Sequence, residues 1–80
     1  MPVRKLKPEI VKEIASRIKE SREKSHLTQQ ALANALGIAK RSVTAWEGGT
    51  NVISVLQLRR LCRGLNVSAD FILGMDGKAT

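Results

Sequence analysis

The segment from Thr28 to Glu47, TQQALANALGIAKRSVTAWE, constrains the fold more than any other part of this chain. Its small and apolar residues recur at the intervals that two short helices need when they cross steeply at a tight turn. Ala33 keeps the first helix thin where the second lies against it, and Gly37 can take the left-handed backbone conformation between them. Leu32, Leu36, Ile38, Val43 and Trp46 then point inward, so Leu32, Ala33, Gly37, Ile38, Val43 and Trp46 make the core of a helix-turn-helix. Left outward on the second helix are Lys40, Arg41, Ser42, Thr44 and Ala45, a basic and hydroxyl-bearing surface with no acid in it. Such a surface suits a DNA groove.

Eighty residues with 42% hydrophobic content make one domain with a modest core and no deep substrate cavity. The core is mostly aliphatic, because Trp46 and Phe71 are the only aromatic residues. No apolar run approaches the roughly 20 residues of a membrane span, and the basic start lacks the apolar stretch of a secretion signal, so a cytoplasmic protein with no membrane partner is expected. One cysteine, Cys62, and one histidine, His26, exclude an internal disulfide and a conventional zinc site. No nucleophile with a base, no metal set and no phosphate loop supports an enzyme, and neither cofactor nor small-molecule ligand is expected.

The net charge of +7 arises from 14 basic and 7 acidic residues. Between Lys24 and Ala69 the sole acid is Glu47, whereas Lys24, Lys40, Arg41, Arg59, Arg60 and Arg63 lie in that interval. Much of the surface is therefore free of groups that would repel a polyanion. Charge alone fits a solvated basic face equally well; the motif tips the balance toward double-stranded DNA.

Residues 1–7, MPVRKLK, are expected to form a flexible basic arm, and 75–80 a flexible tail, around a domain at 8–74. Pro8 opens a first helix running to about Lys24, with Ile10, Val11, Ile14, Ala15 and Ile18 as its apolar stripe. His26 sits in a turn, where histidine tolerates positive φ. Thr28 caps a second helix that ends near Leu36 and shows Gln29, Gln30 and Asn34 as a neutral outward face. A third helix spans about 40–47, and Gly48 to Asn51 form the turn after it. Ser54 and Gln57 read as a capping box opening a fourth helix, with Val55, Leu58, Leu61, Cys62 and Leu65 inward and Asn66 closing it. Ser68 caps a short fifth helix through which Phe71, Ile72 and Leu73 dock. Five helices and no strand-like alternation give an all-α bundle.

The pieces RIKESREK, LTQQALANALGI, SVTAWEGG and LRRLCRGLNVSADFILG resemble the lambda repressor-like, Cro/C1-type (XRE) family of helix-turn-helix transcription regulators from Arg17 to about Gly74. The resemblance implies a five-helix bundle that places helix 3 in the major groove, usually as a homodimer on a pseudo-palindromic operator, and a repressor is the expected role. It implies base-reading positions at Lys40, Arg41, Thr44 and Ala45, with phosphate contacts from Gln29, from Ser42 and from main-chain N–H groups of the loop Gly48 to Ile53, Gly49, Thr50 and Asn51 among them. Lys24 is added as a phosphate contact. It also implies a structural ion pair between Arg22 and Glu47. Three positions depart from the family pattern. Ala39 replaces a helix-capping serine or threonine, Ile53 a proline, and Asn66 a glycine that asparagine can imitate in the left-handed region. The competing expectation is an antitoxin or regulatory subunit acting mainly through a protein partner, held by Leu56, Ile72 and Met75.

Overall fold

The computed structural model describes residues 8–75. Helices are α1 (Pro8–Lys24), α2 (Gln29–Leu36), α3 (Lys40–Gly48), α4 (Val55–Leu65) and α5 (Ala69–Leu73), with no strand among the described residues. The expected arm and all of the expected tail except Met75 lie outside that range.

Local chemistry sets the helix ends. Thr28, Ser54 and Ser68 each accept, through the side-chain oxygen, the N–H three residues on, giving α2, α4 and α5 their N-caps. Gly37 ends α2 at φ 69 and Gly49 ends α3 at φ 76, a region where a Cβ is costly. His26 and Asn66 take the same left-handed conformation, at φ 60 and 56. Only half of the Ser54 capping box forms, because the Gln57 side chain instead accepts a hydrogen bond from Arg60 at 3.3 Å.

Ile18, Leu32, Leu61, Ile72 and Val43 are the largest fully buried side chains and define one core shared by all five helices. Trp46 closes it at 6% exposure and Ile53 seals it from the loop before α4. Three apolar expectations need correction. Ile10 is 43% exposed, because α1, at 17 residues, outreaches the 9-residue α3 and 5-residue α5 it packs on and has buried residues only from Ala15 onward. Val55 is 85% exposed: the buried line of α4 is Leu58, Leu61 and Leu65, and Val55 stands one turn ahead of it at the helix mouth. Ile72, expected on a partner surface, is fully buried, so only Leu56 and Met75 of that trio face solvent. Arg17 holds α5 down by donating to the Phe71 carbonyl at 3.0 Å while its guanidinium covers the Phe71 ring at 4.8 Å. Leu73, at 36% exposure, docks less than its two neighbours.

Candidate nucleic-acid interface

Helix α3 is fixed from beneath and open above. Val43, with no exposure, and Trp46 anchor α3 in the core. Lys40, Arg41 and Thr44 are on solvent, while Ser42 and Ala45 are half-buried at the margin of the same face. Neither Lys40 nor Arg41 makes an ion pair or side-chain hydrogen bond among the described residues. Ala39 supplies no cap, so the first N–H groups of α3 lack a side-chain acceptor and the positive helix end lies beside these two cations.

A polar chain beneath this face joins three helices. Arg22 donates to both carboxylate oxygens of Glu47, Nε to Oε2 at 2.7 Å and Nη2 to Oε1 at 3.0 Å, and its Nη1 donates to the Leu27 carbonyl at 2.7 Å. Both side chains are buried, 10% and 4% exposed. Hydrogen bonding to the Glu47 carboxylate holds the Arg22 guanidinium above its ordinary pKa, outweighing the opposing effect of burial. Gln29 Nε2 donates to Glu47 Oε1 at 3.1 Å, and Thr44 Oγ1 donates to Gln29 Oε1 at 2.9 Å. A carboxylate only accepts, so the Gln29 amide must turn its NH2 to Glu47 and its oxygen to Thr44. The chain Arg22–Glu47–Gln29–Thr44 thus ties α3 to α1 and α2.

Several expected contacts acquire definite geometry. Gln29 is half-buried along α3 rather than simply outward, and Gln30 with Asn34, joined at 2.9 Å, keeps the neutral exposed face. The Thr44 hydroxyl is engaged with Gln29 and lies 3.2 Å from the Lys40 carbonyl, which leaves its methyl group and oxygen lone pairs for a ligand. The main-chain route expected for the loop is corrected. Gly49 N–H donates to Trp46, and Thr50 and Asn51 N–H both donate to Ala45, at 3.3, 3.0 and 3.3 Å, because a left-handed cap spends those donors on the last carbonyls of α3. Gly49 therefore keeps no free donor, and the exposed side chains of Thr50 and Asn51 are what these three residues can offer. Lys24 pairs with Glu20 at 3.0 Å, but both are exposed and the pair is weak enough to exchange for a phosphate.

One feature escaped the sequence reading. Arg60, named in the sequence only as one of the basic residues between Lys24 and Ala69, donates its Nη2 to the Leu36 carbonyl and so caps the C-terminus of α2 from α4. Burial pushes the Cys62 thiol upward in pKa, away from reactivity. Among the described residues no three His, Cys, Asp or Glu side chains cluster to hold a metal, and a cleft of about 290 Å³ between the end of α1 and the α4–α5 corner includes no residue of α3.

A family model described as helix-turn-helix matches residues 18–72. The chain belongs to that family, in its Cro/C1 type. Compared with curated relatives, this helix-turn-helix chain is 35% identical over 63 residues to the antitoxin PezA of Streptococcus pneumoniae, a match covering 79% of the chain and 40% of that relative's length. Among solved structures it is similar to the restriction-modification controller protein C.AhdI from Aeromonas hydrophila (22% identity, TM-score 0.72, covering 78% of this chain and 94% of that one). It also resembles a transcriptional regulator of the HTH_3 family from Vibrio cholerae, at 23% identity and TM-score 0.75, over 86% of this chain and 39% of that one. A hypothetical transcription factor from Neisseria aligns at 20% identity and TM-score 0.75, over 91% and 85% of the two chains. These structures share the fold. No helix among the described residues is long and apolar enough to cross a membrane.

Proposed function

We propose that this chain is a cytoplasmic transcriptional regulator, a repressor, that binds double-stranded DNA sequence-specifically as a homodimer on a pseudo-palindromic operator. The observation that carries this reading is a pair of cations, Lys40 and Arg41, unpartnered among the described residues, on a helix whose underside is locked by the Arg22–Glu47–Gln29–Thr44 chain. Rigid support beneath free charge is what groove reading requires, since a side chain must reach a base edge without first giving up an internal partner. Arg41 bonds both acceptors of a guanine edge; Lys40 contacts a base or a phosphate; the Thr44 methyl group and Ala45 pack against a thymine methyl. Gln29, through its second amide hydrogen, with Ser42, Lys24, Thr50 and Asn51, grips phosphates. Occupancy of a promoter then excludes polymerase.

Binding to duplex DNA as a function of salt tests the proposal. Log affinity should fall linearly with log salt by about 0.9 for each phosphate neutralised. A flat dependence would favour a second reading, a subunit that acts by holding a protein partner, for which the likeness to a relative named an antitoxin speaks.

A further inference from the structure

On α4 the buried residues leave one arc to solvent. At about 100° per residue, Val55, Arg59, Arg63, Leu56 and Arg60 fall within roughly 140° of one another, and no acid lies on the helix. Val55 is 85% exposed and Leu56 64%, with Val52 at 44% in the preceding loop. Arg60 is committed to the Leu36 carbonyl, whereas Arg59 and Arg63 are exposed and make no ion pair or side-chain hydrogen bond among the described residues. The face therefore carries an aliphatic patch at its N-terminal end and two free guanidinium groups further along.

We infer that this face docks an acidic, amphipathic segment of another protein. Its aliphatic side chains cover Val55 and Leu56, and its carboxylates meet Arg59 and Arg63 about 6 and 12 Å further along the helix. Charge complementarity selects this occupant. A second copy laid antiparallel over the whole arc by a two-fold axis would set Arg59 against its own counterpart and Arg63 against Val55, leaving the guanidinium groups without an acid. Phosphates would satisfy the arginines but leave the aliphatic pair wet. The inference goes beyond the DNA reading and does not require it, because none of these residues lies on α3.

The test uses the ¹⁵N-labelled full chain and a labelled helical peptide bearing two leucines followed by glutamates at i+4 and i+8, beside a matched peptide with lysines for the glutamates. The glutamate peptide should bind and move the resonances of residues 52–63. R59E/R63E, checked for native helicity by circular dichroism, should weaken it about tenfold or more and shift preference to the lysine peptide. V55S/L56S should weaken both. Equal affinity for the two peptides, or no binding by either, would overturn the inference. So would concentration-dependent shifts of Val55 and Leu56, which would assign the face to a second copy, or movement of the same resonances by duplex DNA. Arg41→Ala should leave the peptide titration unchanged, so a chain that takes the peptide but no DNA would sink the DNA reading alone.

Discussion

Replacing Glu47 with alanine removes the acceptor on which the buried polar chain converges. Arg22 loses two charge-assisted hydrogen bonds and Gln29 loses one, and the guanidinium is left charged at 10% side-chain exposure. Stripping one partner from a buried ion pair costs about 3–5 kcal/mol. A chain of 80 residues has a total stability of only ~4–12 kcal/mol, so this one side chain accounts for a large share. At roughly 4–8 °C per kcal/mol for a domain of this size, the melting temperature should fall by more than about 12 °C. Urea unfolding followed by the fluorescence of Trp46, the single tryptophan and 6% exposed, reports the loss directly. The pair Arg22→Met and Glu47→Leu should cost at least about 2 kcal/mol less than the sum of the single changes, since no unmatched charge remains. Additive losses would refute the reasoning. The sign with pH follows from Arg22. Its folded pKa is raised, so its contribution is present in full below the ordinary arginine value and is lost only as pH rises through the raised one. Between pH 6 and pH 9, taken as rough bounds, the Arg22 contribution should be flat.

Ala39→Ser should supply the missing cap of α3 and raise stability by about 1 kcal/mol in the same urea assay, provided the serine accepts the Ser42 N–H. Gly37→Ala should cost about 1–2 kcal/mol from the left-handed backbone alone, because the added Cβ meets only Arg60 Nη2 at an ordinary 3.7 Å. Arg41→Ala should lose about 1–3 kcal/mol of discrimination at one base pair per half-site, whereas Lys24→Ala should weaken all duplexes alike; quantitative binding to single-substituted operators separates the two. Cys62 should react with a thiol reagent far more slowly in the native chain than in urea, given a thiol half-buried and shifted upward.

What the sequence made legible was local. Thr28, Ser54 and Ser68 announce helix starts because a hydroxyl three residues ahead of an N–H is all a cap needs. His26, Gly37 and Asn66 announce left-handed turns for a similar reason, each being a residue type that tolerates positive φ. Periodicity found the buried line of Leu58, Leu61 and Leu65, yet it mistook Ile10 and Val55. The spacing gives a side of the helix but not whether another element reaches that end. Ile72 was read both as docking inward, which its burial bears out, and as part of a partner surface, because five residues complete fewer than two turns, too few for a period to orient them. Arg60 on the Leu36 carbonyl and Thr44 on Gln29 join residues 24 and 15 positions apart, and no local pattern encodes which cation or hydroxyl folds back. Arg22 with Glu47, 25 positions apart, was legible only through the family resemblance.

Selection of bound duplexes from a random pool, with the native chain and Arg41→Ala run in parallel, tests most directly whether the outward face of α3 reads sequence. The native chain should enrich a two-fold symmetric consensus, and the variant should lose preference at one base pair in each half while keeping the rest. No enrichment by the native chain, or an identical consensus from both, would contradict the assignment of that face to base recognition.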